Sequence, residues 1–167
     1  MNVVVLLDST VLSNFAYVQR PDLLRTALGE IAATTPMVMT ELRTGETQGK
    51  VPGCDWSWLP VVELTAEEQR LTAEFSLQLD PGEAECLAVA QVREGRILSD
   101  DLAARRCADQ RGIEVSGTLG VLLLLVNQCY LDLDEADKLL RTMVEHGYHS
   151  PVASFRELVH SSDSVFS

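Results

Sequence analysis

The chain has 167 residues, of which 46% are hydrophobic and 23% are charged, a composition typical of a folded domain and unlike that of a disordered chain. Its formal net charge is −12 at pH 7, so the average field of the molecule repels nucleic acid, and a nucleic-acid site requires locally concentrated positive charge. The apolar runs are too short to span a bilayer and no basic segment precedes the first of them, so we expect a cytoplasmic protein with no membrane association.

Strands and helices are predicted to alternate in the first half of the chain. Residues 3–7 form an unbroken, mostly β-branched apolar run, which is typical of a strand buried on both faces. Asp8, Ser9 and Thr10 follow this run and can cap a helix that begins at Val11. The further elements predicted in this half are a helix beginning at Pro21, a strand at 36–39, a helix at 40–47, a loop at 50–58 and a strand at 61–62.

The second half continues the alternation and is richer in helix. A capping box at 65–68 begins its first helix, and Pro81 with Gly82 separates that helix from the next. The predicted elements are helices at 65–79 and 83–94, a strand at 97–99, a helix at 102–110, a strand at 113–115, and helices at 119–128 and 134–146. This alternation predicts an α/β fold in which a mostly parallel β-sheet is flanked by helices on both faces. We expect one domain over residues 1–161 and a frayed tail at 162–167.

Acidic side chains recur where the predicted strands end and the helices begin. They are Asp8 after the first strand, Glu41 after the second, Glu83 and Glu85 at the start of the helix after Pro81, and Asp100 and Asp101 after the strand at 97–99. In open parallel sheets the carboxyl ends of the strands share one edge, where ligands bind. Carboxylates gathered there repel one another unless a cation intervenes, and hard oxygen ligands suit Mg²⁺ or Mn²⁺, which can activate water at a phosphodiester.

Each of these acids also has a simpler explanation. Asp and Glu at helix N-termini cap free amides and complement the helix dipole, and for any one acid alone capping is the better explanation. Capping does not explain why acids follow three separate buried strands at a shared edge of the sheet. The combination therefore indicates a metal site.

An ordered set of motifs in the chain resembles the PIN-domain family. Residues 7–12, with Asp8 and a small polar residue after it, resemble the first motif of the family, and residues 40–42 resemble the second. Three further segments resemble a toxin-like subfamily that has a Gly-Glu-x-Glu helix and is often described as a domain of unknown function. These segments are residues 82–90, residues 98–101 with Arg105 and Arg106, and residues 117–122. The resemblance covers nearly the whole chain in the right order.

The resemblance implies a PIN-like fold, Mg²⁺- or Mn²⁺-dependent endoribonuclease activity and, often, a role as the toxin of a toxin–antitoxin pair. It implies catalytic carboxylates at Asp8, Glu41, Glu83 and Asp101, and ion ligands among Asp8, Glu83, Glu85, Asp100 and Asp101. The expected substrate contacts are Ser9, Thr10, Ser99, Arg105 and Arg106, the two arginines lying in the one arginine-rich stretch of the chain. RNA is then the substrate, a cognate antitoxin is a possible partner, and the apolar helices favour a homodimer.

Two choices between neighbouring acids remain open. Glu83 and Glu85 are two residues apart on a helix and point to nearly opposite sides, so only one of them can face an ion. Comparison with the family favours Glu83, because small residues follow it as they follow the usual acid of PIN toxins. The same comparison favours Asp101 over Asp100, because Ser99 then takes the hydroxyl position two residues before the acid.

The main alternative is a catalytically inactive PIN-like module that serves dimerisation or partner binding and keeps its acids as caps. A haloacid dehalogenase phosphatase is a poor candidate, because its second Asp is replaced here by Thr10. A response-regulator receiver is equally poor, because the only lysines, Lys50 and Lys138, do not follow a late strand. His146 and His149 are predicted to lie at a helix end, where histidine complements the dipole.

Overall fold

The computed structural model describes residues 3–158 of the chain. Within these residues, four short strands form one parallel sheet: β1 (Val5–Leu7), β2 (Ala32–Ala33), β3 (Arg96–Leu98) and β4 (Val115–Ser116). Their spatial order is β2-β1-β3-β4, so β1 and β3 are the central pair. The predicted tail at 162–167 lies outside the described residues.

Eight α-helices flank the sheet up to Glu145, and residues 155–158 are also helical. They are α1 (Ser9–Tyr17), α2 (Pro21–Leu28), α3 (Pro36–Thr47), α4 (Ala66–Phe75), α5 (Pro81–Val92), α6 (Leu102–Gln110), α7 (Thr118–Asn127) and α8 (Leu133–Glu145). Each connection between successive strands contains at least one helix, as parallel pairing requires. The predicted α/β architecture is confirmed. None of the helices between residues 3 and 158 combines the length and the apolar character needed to cross a membrane.

The strand β1 lies at the centre of the core. Its residues Val5, Leu6 and Leu7 are at most 5% exposed, which fits a strand covered on both faces. β1 pairs with β2 through Val5 and Leu6, and with β3 along its whole length. Helix α5 packs against both β1 and β3, the two central strands.

The second strand lies earlier in the chain than the sequence pattern suggested. The prediction of a strand at 36–39 is wrong, because Pro36 occupies the first turn of α3 and Thr35 caps that helix. The Thr35 hydroxyl accepts a hydrogen bond from the Val38 amide at 3.4 Å, and of the apolar run only Val38 is buried. The strand is instead the pair Ala32–Ala33. Glu41 therefore lies in the second turn of α3 and does not follow a strand.

The prediction of a strand at 61–62 is wrong, and those at 3–7, 97–99 and 113–115 differ from β1, β3 and β4 in their bounds. Val61 forms a single parallel bridge with Thr34, beyond the end of β2, and does not belong to a strand. The last strand begins at Val115, two residues later than predicted.

Helices α4 and α5 are joined by a buried ion pair. Glu68 of α4 is 0% exposed, and its Oε1 accepts hydrogen bonds from Nε and Nη2 of Arg93 at 3.0 and 2.9 Å. Nη2 of Arg93 also donates to the carbonyl oxygen of Glu63 at 3.0 Å. Because Arg93 is the C-cap of α5, this pair fixes the end of α5 that lies far from its first turn.

The strand order creates a crevice between β1 and β3. The chain leaves β1 for a neighbour on one side and later enters β3 on the other side, a topological switch of the kind where open parallel sheets bind ligands. Asp8 directly follows β1, and Ser99 directly follows β3. Helices α1, α6 and α7 begin close to this edge, so their free amides and positive dipole ends lie there.

Candidate functional site

Asp8 is buried at the crevice, with 1% of its surface exposed. It is the N-cap of α1, and its Oδ1 accepts a hydrogen bond from the Ser9 amide at 2.7 Å. Its Oδ2 accepts from the hydroxyls of Ser99 at 2.8 Å and Thr10 at 3.3 Å. Burial raises the pKa of Asp8 to about 6, although the hydrogen bonds from Ser99 and Ser9 oppose this rise. Asp8 is thus an oriented carboxylate held with an unusually high proton affinity.

Two hydroxyl groups join the ends of the central strands. Ser99 donates to Asp8 and accepts a hydrogen bond from the Asp101 amide at 3.2 Å. Thr10 donates to Asp8 and accepts from the Asp100 amide at 3.0 Å. Because Ser99 is 1% exposed, it has no surface for an RNA contact, and the geometry gives it the role of orienting Asp8.

Glu41 reaches the same region from α3 through a close approach to Gly82. Its Oε1 accepts a hydrogen bond from the Gly82 amide at 3.0 Å, in the first turn of α5. A Cβ atom on residue 82 would lie 2.7 Å from Oε2 of Glu41, so any side chain at residue 82 would displace this carboxylate from its position. Burial raises the pKa of Glu41, and the negative charges of Asp80 and Glu85 raise it further.

Glu83 lies in the first turn of α5 and is 7% exposed. Its Oε2 accepts a hydrogen bond from the Asp80 amide at 3.3 Å, in a capping box. Burial raises the pKa of Glu83 to about 9, and the charges of Asp8, Asp101 and Asp80 contribute to the rise. Glu83 therefore holds a proton at neutral pH unless a cation offsets the neighbouring charges.

The adjacent acids Asp100 and Asp101 have different surroundings. Asp101 caps α6, its Oδ2 accepting from the Ala104 amide at 2.8 Å, and its charge acts on Glu83. Asp100 Oδ1 accepts from the Thr118 amide at 2.9 Å, and its Oδ2 accepts from the Thr118 hydroxyl and, at 2.9 Å, from Nδ2 of Asn14. The hydrogen bonds of Asp100 therefore link the end of β3 to α1 and α7, whereas the charge of Asp101 acts on Glu83.

Glu83 and Glu85 also differ in their partners, as residues two apart on a helix should. The Oε2 atom of Glu85 accepts a hydrogen bond from the Met37 amide at 2.9 Å, in the first turn of α3. Glu85 acts electrostatically on Glu41, whereas Glu83 is affected by Asp8 and Asp101. Glu83 thus faces the crevice, and Glu85 faces the start of α3.

Capping accounts for part of this arrangement and leaves its electrostatics unexplained. Asp8 and Asp101 are N-caps, and Glu83 belongs to a capping box. A helix N-terminus by itself favours the charged form of a carboxyl group and lowers its pKa. The pKa values of Asp8, Glu41 and Glu83 are instead raised, by burial first and by mutual charge second. Ionising these acids together therefore has an electrostatic cost that helix capping alone does not offset.

The donor set fits a hydrated divalent cation and not a closed protein cage. Between residues 3 and 158 no three Asp, Glu, His or Cys side chains are placed to ligate one ion together. Mg²⁺ commonly keeps several waters and takes only one or two protein carboxylates. Asp8 and Asp101, tied together through Ser99, and the neighbouring Glu83 provide hard oxygen ligands and the excess charge that such an ion offsets.

Three of the five expected substrate contacts, Ser9, Thr10 and Arg105, line two adjacent clefts, whereas Ser99 is buried and Arg106 lines neither cleft. Ser9 and Thr10 line a cleft of about 370 Å³, which we call the first cleft. Arg105 lines a second cleft of about 390 Å³, and its Nη1 donates to the Ser99 carbonyl oxygen at 3.0 Å. Arg106 is exposed on α6. Positive charge is therefore available beside the acidic crevice.

Sequence reasoning overlooked several residues that build the site. Asn14 is buried in α1 and donates from Nδ2 to Asp100 at 2.9 Å and to the Thr118 hydroxyl at 3.1 Å. The available signal was a polar residue at an apolar position of a helix. His146 is the C-cap of α8, as expected for a helix end, but both His146 and His149 also line the first cleft.

Two comparisons with known proteins bear on the family of this chain. Comparison with curated proteins finds no significant match. A family model described as a PIN domain matches residues 4–164, which include the whole described sheet and all the carboxylates of the crevice. The chain belongs to the PIN-domain family.

Proposed function

We propose that this protein is an endoribonuclease of the PIN type that hydrolyses single-stranded RNA with the help of Mg²⁺ or Mn²⁺. The observation that carries the proposal is the crowding of Glu83 with Asp8 and Asp101, which together with burial raises its pKa to about 9. A cluster of this kind costs folding free energy, and a bound divalent cation relieves that cost. Family membership supports the same chemistry.

Each carboxylate has a distinct role in this proposal. Asp8 and Asp101 would anchor the ion, and Glu41 and Glu83 would complete its shell or orient the attacking water. The ion, when bound, supplies positive charge at the phosphate and lowers the pKa of a water. Ser99 holds the carboxylate of Asp8 in place. In the hydrolysis, the water would lose a proton and bond to phosphorus, and the leaving oxygen would separate from phosphorus and take up a proton, giving one phosphate end and one hydroxyl end.

RNA binding depends on the arginines beside the crevice. Because the net charge is −12, the field of the whole molecule opposes RNA, and we expect weak binding in which Arg105 and Arg106 matter more than usual. They meet the phosphate backbone, which arginine recognises through its planar set of donors.

Cleavage of labelled single-stranded RNA by the purified protein with Mn²⁺ tests this function. Asp8→Asn keeps the shape of the side chain and should abolish cleavage with little change in RNA binding. Arg105→Ala combined with Arg106→Ala should weaken RNA binding first. Asp22→Asn is a matched control, because Asp22 is an exposed partner of Arg20, and it should cleave normally. If the wild type cleaves neither structured nor unstructured RNA and Asp8→Asn behaves identically, the catalytic role is wrong.

A second candidate function is a catalytically inactive PIN-like module that serves dimerisation or partner binding. It is favoured by the capping roles of Asp8, Glu83 and Asp101 and by the lack of a three-ligand group within residues 3–158. Metal titration separates the two functions. Acids that only cap helices should not respond to Mn²⁺ at micromolar to millimolar concentrations, whereas a metal site should saturate.

We further infer that the protein acts in the cytoplasm as a homodimeric, single-domain toxin that a cognate antitoxin neutralises. Family membership supports this role. Induced expression of the wild type should arrest growth of the host cell, and expression of Asp8→Asn should not. Equal growth with both proteins would argue against a toxin.

A further inference from the structure

The first cleft opens beside Asp101, between α1 and the segment that follows α8. Its volume of about 370 Å³ lies within the range of roughly 300–1,000 Å³ that is usual for small-molecule sites. One wall carries Ser9 and Thr10 from the start of α1, and the opposite wall is residues 146–149. A ligand in this cleft therefore lies next to the carboxylates of the crevice.

The lining of the first cleft combines flat rings with hydrogen-bonding groups. The rings of Tyr17 and His146 stack, with centroids 4.9 Å apart and planes inclined by 14°. Tyr148 and His149 add two further rings, and Ser13 adds a hydroxyl group. Aromatic side chains with a polar surround suit a nucleobase, because every base has a π-face for stacking and a polar edge for hydrogen bonds.

The ring of His146 is held in a fixed orientation. Its Nδ1 lies 2.8 Å from the carbonyl oxygen of Thr142, within hydrogen-bond distance, and one of its faces stacks on Tyr17. An aromatic platform that is already oriented loses little conformational entropy when a ligand binds. His146 is therefore suited to act as the stacking surface.

The charge of the first cleft favours a base over a phosphate. Among the described residues that line it, Asp100 and Asp101 are acidic and none is lysine or arginine. A phosphate group would face these carboxylates without a positive partner, whereas a nucleobase is neutral and is not repelled.

The second cleft supplies the positive partner that the first cleft lacks. Arg105 lines the second cleft, and the two clefts share Asp100, Tyr148 and His149. A strand can therefore pass over Tyr148 and His149 with a base on one side and a phosphate on the other. Rings in one cleft and a guanidinium in the adjoining cleft suit a short stretch of single-stranded nucleic acid.

We propose that the first cleft binds the base of a nucleotide flanking the scissile phosphate, with His146 as its stacking platform, and that the strand continues over Tyr148 to Arg105 in the second cleft. This subsite rests on the proposed function, because it presupposes RNA as the substrate. His146 then governs binding of a flanking nucleotide, and the carboxylates alone perform the chemistry.

Proton NMR of the histidine rings tests the subsite without any need for cleavage. In buffer with EDTA, adenosine 5′-monophosphate should shift the ring signals of His146 and His149, since a stacked base imposes a ring current. Ribose 5-phosphate, which lacks the base, should leave them in place. The signals are assigned with His146→Phe and His149→Ala. Equal shifts with both ligands, or none with either, would overturn the subsite.

Steady-state cleavage of single-stranded RNA provides the second readout. His146→Ala should raise KM at least about fivefold, the lower limit for loss of one base–aromatic stack, with a smaller change in kcat. His146→Phe keeps a stacking ring and should restore KM. Leu77→Ala changes an 84% exposed side chain that lines neither cleft and serves as the control. If His146→Ala does not fold, His149→Ala tests the same wall.

The two readouts distinguish failure of the subsite from failure of the ribonuclease function. A wild type that cleaves RNA, with an unchanged KM in both His146→Ala and His149→Ala, would overturn the subsite and leave the function intact. A wild type that cleaves no RNA but shows base-dependent shifts at His146 would refute the function and, with it, the role beside a scissile phosphate, while leaving the first cleft as a base-binding site.

Discussion

Gly82 has no side chain, and Glu41 occupies the space that one would fill. In most helix positions Gly→Ala is stabilising by roughly 0.5–1 kcal/mol. For Gly82→Ala we expect the opposite sign, because the new methyl group displaces the Glu41 carboxylate and breaks its 3.0 Å hydrogen bond to the residue 82 amide. Thermal melting and Mn²⁺ titration should show a lower melting temperature and weaker binding.

The control for Gly82→Ala is Gly53→Ala, because a Cβ atom at residue 53 meets nothing within 4 Å. Gly53→Ala should leave both the melting temperature and the Mn²⁺ affinity near their wild-type values. Equal behaviour of the two variants would show that the close approach of Glu41 to Gly82 is unimportant.

The proton affinities of Asp8 and Glu83 make stability depend on pH. Their folded pKa values, about 6 and about 9, exceed the ordinary values of 3.8 and 4.5, so the folded state binds more protons than the unfolded state between these limits. Stability contributed by protonation is therefore complete below about pH 4 and is lost as the pH rises through the folded pKa values. Without metal, the two groups should make the protein melt at a lower temperature at pH 8 than at pH 5.5.

Glu83→Gln separates this effect from the titration of other groups. The variant keeps a neutral side chain at all pH values, so its melting temperature should fall less between pH 5.5 and pH 8 than that of the wild type, measured in EDTA. Parallel melting curves for the two proteins across this range would contradict the assigned proton affinity of Glu83.

At the scale of the elements, the contact between α4 and α5 includes an ion pair of Arg93 with the buried carboxylate of Glu68. Arg93→Ala would leave Glu68, which is 0% exposed, without its cation. Removing one partner of a buried pair typically costs about 3–5 kcal/mol, and we expect the lower end because Arg93 is itself partly exposed. Urea unfolding at pH 7 measures this loss.

The exposed pair of Arg20 and Asp22 provides the comparison for Arg93→Ala. Arg20→Ala should cost no more than about 1 kcal/mol, because water solvates both partners of a surface pair. A loss of similar size in the two variants would show that the burial of Glu68 does not determine the contribution of its ion pair.

The sequence predicted the elements best where a local signal was unambiguous. The β-branched run before Asp8 and the capping box at 65–68 marked β1 and α4, and both elements are present. The run at 36–39 was ambiguous, because four residues cannot distinguish a strand from a helix face and the signal of Pro36 at a helix start was overlooked. A strand as short as Ala32–Ala33 carries almost no periodicity.

The candidate site was predictable where it follows strand ends, and it was not predictable where distant elements meet. Asp8 and Asp101 could be placed together because parallel strands share an edge. The first cleft could not be predicted, because it forms where α1 packs against the segment after α8. The position of His146 at a helix end is explained by capping, so its place in the cleft lining had no separate signal in the sequence. Likewise, the approach of Glu41 to Gly82 depends on how α3 packs on α5.

For the molecule as a whole, a net charge of −12 predicts two kinds of stabilisation by salts. Sodium chloride should raise the melting temperature modestly by screening self-repulsion. Mn²⁺ or Mg²⁺ at the same ionic strength should raise it further, because a ligand that binds only the folded state stabilises it by mass action. Asp8→Asn should lose most of the additional shift. An equal response to NaCl and Mn²⁺ would count against a metal site.

Both edges of the described sheet are short, and one is already occupied. At one edge, β4 has only two residues. At the other edge, the segment around Val61 pairs with Thr34, just beyond β2. The Thr34 amide donates to the Pro60 carbonyl oxygen and the Val62 amide donates to the Thr34 carbonyl oxygen, both at 2.9 Å. Little free backbone remains there for another chain to pair with, so strand addition is disfavoured both for fibril-like association and for recognition of a partner. A protein that inhibits or pairs with this molecule should therefore contact its helices, loops or clefts and should not extend its sheet.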